Sequence, residues 1–343
     1  MSWEVAAQVG DFIAGTFGVV ISAAGFYLLI ITLREQRASF TKEDSKHSIE
    51  RFESRFFEMI AMHRENVSEL NFSIKFIRRT DPQWTFKKKK FEKKQVFNAI
   101  LDQFYTLNIE LRKFISDDSV FKEEYLQSLK KNPRISALDI HYIAIARIDI
   151  CYSILFYGVG SEGVRILRTT LKSRYREDLV EFILDYVRLK PKSDESVLQN
   201  WKSIQSLSDD EKRNEVSKPS SKYTKYYGGH QFRLGHYFRH LSQTVKLVND
   251  FNQIGYKEKY KYVKMLRAQL STAEQSLLFL SSISALGMSW EFTAKSENSR
   301  LITKYNLIKN IPGDMTQGFS VTRFYPLVEF EGTNGSRNDA IYK

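Results

Sequence analysis

The stretch Phe12-Ile-Ala-Gly-Thr-Phe-Gly-Val-Val-Ile-Ser-Ala-Ala-Gly-Phe-Tyr-Leu-Leu-Ile-Ile-Thr-Leu33 contains no charged residue and is bounded by Asp11 and Arg34. A helix of this length extends roughly 33 Å, and the hydrocarbon core of a bilayer is about 30 Å thick. The N-terminal segment 1–33 therefore predicts a transmembrane helix with its core at 12–33. No Lys or Arg precedes the run, although a secretory signal needs a basic region there. We expect the helix to be retained.

The residues that follow the apolar run form a basic connector, 34–47, which contains Arg34, Arg37, Lys42 and Lys46. Basic residues beside a membrane helix favour the cytoplasmic side. The pattern predicts a single-pass protein in contact with membrane lipids. We expect its N-terminus to lie outside the cell and its main domain in the cytoplasm.

Small residues recur every four positions along this helix, at Gly10, Ala14, Gly18 and Ser22. Such a stripe allows two helices to approach closely in lipid. It predicts membrane assembly into a homo-oligomer. The alternative is that Gly and Ala are simply frequent in membrane helices.

The charge of the chain is concentrated after this helix. The net charge is +12, and because segment 1–33 contributes −2, the remaining residues carry +14. A strongly basic domain suggests contact with anionic lipid headgroups or with nucleic acid, including RNA. The single cysteine, Cys151, forms no internal disulfide and fits a reducing compartment.

Glycine and proline spacing predicts an all-α fold, in which a single N-terminal transmembrane helix is followed by a cytoplasmic multi-helix bundle. No Gly occurs between Phe26 and Tyr157, and the six prolines separate periodic segments. The helical domain is predicted at 48–311, with a mobile insertion at about 191–229, and a short extended C-terminal tail at 312–343. The predicted helices are 34–79, 91–115, 137–156, 163–189, 232–251, 257–285 and 299–311.

The densest charge run comprises Lys87, Lys88, Lys89, Lys90, Lys93 and Lys94. Near a membrane, each exposed Lys gains up to about 1 kcal/mol from anionic headgroups. The alternative is a solvated loop and helix start.

The chain lacks the common catalytic motifs: Gly-x-x-x-x-Gly-Lys, His-Glu-x-x-His, Cys-x-x-Cys and Gly-x-Ser-x-Gly are all absent. We therefore expect no cofactor and no metal, and we lean away from an enzyme. One polar helix face remains as a candidate site, formed by Arg233, His236, Arg239, His240 and Gln243. Guanidinium and imidazole groups on one face suit an anion. The alternative is a solvated face with salt-bridged arginines.

His63 lies on the apolar stripe of its own helix. We expect a core histidine with one hydrogen-bonded nitrogen.

Three blocks of the sequence carry a family resemblance. They are Gly229-His-Gln-Phe-Arg-Leu-Gly-His-Tyr-Phe-Arg-His-Leu241, then Leu266-Arg-Ala-Gln-Leu-Ser271 with Glu274, then Lys304-Tyr-Asn-Leu-Ile-Lys-Asn310. With the earlier block Phe52-Glu-Ser-Arg-Phe-Phe57, the chain resembles the phage abortive infection protein family of AbiC type. The resemblance implies a bacterial antiviral defence protein of the inner membrane that stops the growth of the infected cell. It also marks Arg267 and Glu274 as candidate anion- or partner-binding residues.

Two function classes and a third alternative follow. The first is a non-enzymatic membrane effector that senses infection through a phage-derived or defence-system partner and acts by assembly or membrane perturbation. The second is a ribonuclease similar to the HEPN group, whose Arg-x(4–6)-His motif would be Arg233 and His240. The third is a non-enzymatic membrane scaffold that binds a partner protein.

Overall fold

A computed structural model describes residues 3–80, 83–189, 228–312 and 318–331. The chain divides into two compact units, Met1–Glu58 and Met59–Lys343. Most of the insertion predicted at about 191–229 lies outside the described residues.

The first unit consists of the larger part of helix α1, which extends from Trp3 to Glu69 without interruption. Its apolar N-terminal side chains are exposed, with 74% of Phe12 and 68% of Phe26 accessible. This helix is long and apolar enough to cross a membrane, with a mean hydropathy of 2.1 in its most apolar window. The membrane-spanning length predicted from the sequence is therefore present as a single helix.

The second unit contains the end of α1, a two-stranded sheet and a set of helices. Strands β1 (Asn71–Thr80) and β2 (Gln83–Glu92) pair antiparallel, with Phe72 opposite Phe91. The helices are α2 (Gln95–Leu111), α3 (Glu123–Lys131), α4 (Pro133–Ser136), α5 (Tyr142–Tyr157), α6 (Ser161–Lys172), α7 (Glu177–Leu189), α8 (Gln231–Asp250), α9 (Tyr256–Arg267), α10 (Thr272–Ile283), α11 (Leu301–Tyr305) and α12 (Val321–Phe324).

Helices α5 and α10 form the centre of the core. From Ile148 to Leu155 every residue of α5 is buried, and α10 is buried from Ala273 to Ile283. A helix that is buried on all sides needs neighbours on all sides. Accordingly, α5 contacts α2, α6 and α10. The surrounding helices are amphipathic and cover these two.

The structure is mostly helical, consistent with the all-α prediction, and the β-hairpin is the element that the prediction did not contain. The helix predicted to reach Arg79 ends at Glu69, and β1 begins at Asn71. A four-residue spacing such as Leu70 to Ile74 fits one helix face and also one strand face, because a strand repeats every two residues. Lys87 to Lys90 accordingly lie in β2.

Helix boundaries differ from the prediction where local capping ends a helix. The predicted helix 163–189 is two helices separated at Ser173–Arg176, and 257–285 is interrupted between Arg267 and Thr272. At the second break, Ser271 and Glu274 form a capping box that starts α10. The last predicted helix stops at Tyr305, because Asn306 adopts a left-handed conformation with φ 51°.

The described part of the predicted extended tail is folded. Residues Val321–Phe324 form α12, and the segment from Phe319 to Phe330 contributes core side chains. Tyr325 is among them, and its hydroxyl lies 2.5 Å from that of Ser282 in α10. The aromatic residues of this segment lack a regular spacing, so the periodicity of the sequence could not predict that they pack in the core.

Gly229 allows the start of α8 to dock on the end of α5. It has φ +55°, and an added Cβ would lie 2.5 Å from the carbonyl carbon of Tyr157 and 2.6 Å from the nitrogen of Gly158. The next residue, His230, donates its backbone N–H to the carbonyl of Phe156 at 2.9 Å. Only glycine satisfies both the dihedral angle and the close approach.

We predict that Gly229→Ala lowers the free energy of unfolding by more than about 1 kcal/mol, because a left-handed Ala and a backbone clash add together. Gly228→Ala is the matched control, since a Cβ there meets nothing within 4 Å. We expect that control to change stability by about 0.5 kcal/mol or less. Thermal unfolding of the detergent-solubilised full-length protein measures both. Equal midpoints for the two variants would contradict the docking argument.

Candidate functional site

The predicted polar face lies on α8, and its residues differ in how far they are exposed. His236, Arg239 and Gln243 are exposed, Arg233 is half-buried, and His240 is buried with 7% of its surface accessible. The face covers roughly 120° of the helix at 100° per residue. One edge of so wide an arc packs against a neighbour while the other faces solvent.

Arg233 connects α8 to the start of the β-hairpin. Its Nε donates to the carbonyl oxygen of Asn71 at 2.9 Å. Its guanidinium lies 5.1 Å from the ring centre of Phe72 and 4.4 Å from that of Phe232. Burial lowers its pKa. The cation is thus held between two aromatic rings, a favourable cation–π arrangement, and positions the hairpin.

His240 packs against His63 near the end of α1. Their ring centres are 6.1 Å apart, and that of Tyr237 is 5.2 Å from His63. None of the four imidazole nitrogens has a hydrogen-bond partner within the part of the chain that the structure describes. His63 is a core residue as predicted, with 2% of its surface accessible, but the expected hydrogen bond to one nitrogen is not formed.

The pKa of both buried histidines is lowered. Burial, followed by the proximity of His240 and Lys94, lowers the pKa of His63 from 6.5 to about 4. Burial and then His236 lower the pKa of His240. Both rings are therefore favoured in their neutral form. A general base must reach the proton that it removes, and His240 offers little accessible surface.

Arg267 and Glu274 occupy structural positions inside the domain. Arg267 is buried, and one terminal nitrogen donates to the carbonyl oxygens of Tyr305 and Asn306 at 3.1 and 2.9 Å. Glu274 caps α10 by accepting from the backbone of Ser271 at 2.6 Å, and accepts from the Tyr237 hydroxyl at 2.8 Å. Both side chains are therefore engaged inside the domain, and their predicted binding role stays a prediction.

The exposed members of the face line two separate clefts. His236 lies with Glu69 and Arg233 in a cleft of about 270 Å³ between the end of α1 and α8. Arg239 and Gln243 lie in another of about 390 Å³, which also contains Lys246. Lys246 was not among the predicted site residues. It follows Arg239 by seven positions, so the same helical spacing would have placed it beside Gln243.

His230 is a second residue that the sequence argument missed. It is buried, its Nε2 lies 2.8 Å from the Gln103 side-chain oxygen, and its ring meets Phe72 edge-on at 4.7 Å. Burial and then Arg233 lower its pKa to about 3. His230 thus joins α8 to α2 and the hairpin, and its role is structural.

The described features define a mostly helical domain that follows a helix able to cross a membrane. Residues 229–315 match the model of the family described as "Putative phage abortive infection protein". The match confirms the predicted resemblance over this segment and supports a general antiphage role. It covers α8 to α11, whereas the block Phe52-Glu-Ser-Arg-Phe-Phe57 lies outside it. Comparisons with curated proteins and with solved structures gave no match.

We predict that the free energy of unfolding falls as the pH drops from about 6.5 to about 4, because His63 has a pKa lowered from 6.5 to about 4. In this window the unfolded chain binds a proton that the folded chain excludes. The loss attributable to His63 is about 3 kcal/mol. His63→Phe should remove this part of the pH dependence, as measured by thermal unfolding in detergent at a series of pH values.

His141→Phe is the control for that series, because His141 is exposed. It should leave the pH dependence as in the wild type. An unchanged slope in His63→Phe would show that the histidine is protonated inside the folded domain.

Proposed function

We propose that this protein is a membrane-anchored abortive infection effector. The observation that carries the proposal is the family match at residues 229–315 in a chain that also has an exposed apolar helix of membrane-spanning length. The family match supports the biological role, and the apolar helix supports the membrane as the place of action. An effector of this kind halts growth of the infected cell before the phage completes its cycle.

The proposed orientation rests on the charges beside the helix. Glu4 and Asp11 precede the apolar run, whereas Arg34, Arg37 and Lys42 follow it. The positive-inside rule puts the basic side in the cytoplasm of a bacterial inner membrane. The helical domain then meets the infecting phage's products directly.

The proposed mechanism is assembly within the membrane. Gly10, Ala14, Gly18 and Ser22 are exposed, and a Cβ added at Gly10 or Gly18 meets nothing within 4 Å. A partner helix therefore has room to approach the backbone closely. Assembly in response to infection would perturb the membrane. A scaffold that only recruits a partner protein would use the same helix without perturbing it.

His236 and Arg239 are the residues that we propose sense infection. Both are exposed on α8, within the family-matched segment. The exposed guanidinium provides charge, and both side chains provide hydrogen-bond donors, for an anionic ligand or a partner surface. Because both already face solvent, the domain need not rearrange to present them.

The ribonuclease alternative requires Arg233 and His240 to act together on RNA. Arg233 is engaged with Asn71, and His240 is buried beside His63. RNA cleavage by this pair would need both groups to be released toward a substrate. The membrane effector needs no such rearrangement, and we therefore favour it.

We predict that the full-length protein stays with membranes after a high-salt wash and that deletion of residues 1–33 releases it, because the apolar helix is the anchor.

We predict that Gly18→Leu stays in the membrane fraction but forms fewer oligomers, as seen by crosslinking in detergent, since the larger side chain separates the helix backbones. Val20→Leu is the matched control, because Val20 lies roughly 200° away around the helix.

Extraction of the intact protein by salt would indicate peripheral binding. Equal oligomer yields for Gly18→Leu and Val20→Leu would place the interface in the helical domain.

We predict that His236→Ala and Arg239→Ala accumulate normally but lose phage protection. Exposed polar substitutions change stability by about 0.5 kcal/mol or less, so loss of protection would reflect lost recognition.

In cells that express the active wild type, uptake of a dye that enters only damaged membranes should precede any loss of RNA integrity. His240→Phe, which keeps an aromatic ring at the buried position, should retain protection.

Insoluble or degraded Arg239→Ala would make the residue structural. RNA cleavage that precedes dye uptake and disappears in His240→Phe would favour the ribonuclease.

A further inference from the structure

Two clefts lie end to end along the outer side of α8. Each has a volume of about 390 Å³, and both are lined by Ser242, Lys246 and Trp290. We call the combined feature the α8 trough. It extends from Gly235 to Asp250 along α8, roughly 22 Å at 1.5 Å per residue, and the segment from Ser281 to Leu301 forms the opposite wall.

The trough is basic. Its lining includes Arg239, Lys246 and Lys295 and a single carboxylate, Asp250. Within the described residues, none of the three cations is engaged in a side-chain hydrogen bond or salt bridge. Exposed cations in a groove attract anions.

The spacing of the cations suits an extended anion. Arg239 and Lys246 are seven residues apart on one helix, roughly 10 Å along its axis, with Gln243 between them as a hydrogen-bonding group. A ligand that carries negative charges at separate points along its length, as a nucleic acid strand does, can contact both cations with their side chains extended.

The rest of the lining suits bases. Phe156 is partly exposed at one end, and the indole of Trp290 lies where the two clefts meet, with 8% of its surface accessible. Exposed Leu286 extends this apolar side. A basic row beside exposed apolar surface suits a single strand, with phosphates on the cations and bases against Phe156 and Leu286, while Trp290 lines both clefts from a buried position.

We infer that the α8 trough binds single-stranded nucleic acid without cleaving it. Binding requires only the trough, whereas its use as a signal of infection rests on the proposed function. Arg239 would then serve as a phosphate contact.

The test uses the purified full-length protein in nanodiscs of zwitterionic lipid, which removes competing anionic headgroups. Fluorescence anisotropy measures binding of a short fluorescein-labelled oligouridylate. We expect the double variant Arg239→Glu/Lys246→Glu to bind at least about tenfold more weakly than the wild type. With about three phosphate contacts, the wild-type salt dependence should have a log–log slope of about −2, and the variant a smaller one.

The matched control is Lys261→Glu/Lys264→Glu, which makes the same charge change on exposed positions of α9 outside the trough. It should alter affinity by less than about twofold. As a second measurement, a photocrosslink from a thiouridine-containing strand should map to the peptide that contains Trp290 or to α8.

Absence of binding by the wild type overturns the inference, as does equal weakening in the two double variants, which would indicate non-specific charge attraction. Equal competition by polyglutamate would assign the trough to acidic polypeptides instead. Loss of phage protection in Arg239→Ala without nucleic acid binding by the wild type leaves the proposed effector intact and removes only this inference. If the wild type binds nucleic acid but gives no phage protection, this inference stands and the proposed effector is removed.

Discussion

The buried carboxylate of Asp149 holds the second unit together. It accepts hydrogen bonds from the Arg174 guanidinium at 3.0 Å, the Tyr175 hydroxyl at 2.7 Å and the backbone N–H of Ala285 at 2.8 Å. These donors lie in the junction between α6 and α7 and in the segment after α10. One charged group in α5 thus connects two distant parts of the chain. A buried carboxylate is tolerated only when it is paired and hydrogen-bonded, and removal of one partner from a buried ion pair costs about 3–5 kcal/mol.

This arrangement has a consequence for the α8 trough. Ala285 begins the segment that contains Leu286 and Trp290, which line the trough opposite α8. The hydrogen bond to Asp149 fixes the position of Ala285 within that wall. On the other side, Gly229 and His230 fix where α8 starts against α5. Both walls are therefore connected to α5, one through α8 and the other through the segment between α10 and α11.

Much of the fold could be predicted from periodicity and charge. The apolar helix and the extent of α8 were predicted closely, because each has a strong local pattern. The exposure of His236, Arg239 and Gln243 also agrees with the structure. The burial of His240 could not be predicted, because it depends on His63 in a helix far away in sequence. The β-hairpin was missed because apolar residues four positions apart fall on one face of a helix and also on one face of a strand. The break at Arg267 was missed because the capping box of Ser271 and Glu274 lies within a continuous apolar pattern.

The family-matched segment divides into an interior that builds the fold and a surface that is free to act. Arg267, Glu274 and Asn306 satisfy backbone groups at helix ends and turns, which accounts for polar residues in the interior. The imidazoles of His63 and His240 do not follow this pattern. Among the residues that the structure describes, neither ring nitrogen of either histidine finds a partner in this buried contact, where an unsatisfied group costs about 1–3 kcal/mol. Apolar side chains of similar size would pack α8 against α1 with a lower cost. The contact between these two helices is therefore less stable than it would be with an apolar pair, and it lies on the same helix as the exposed residues proposed to sense infection.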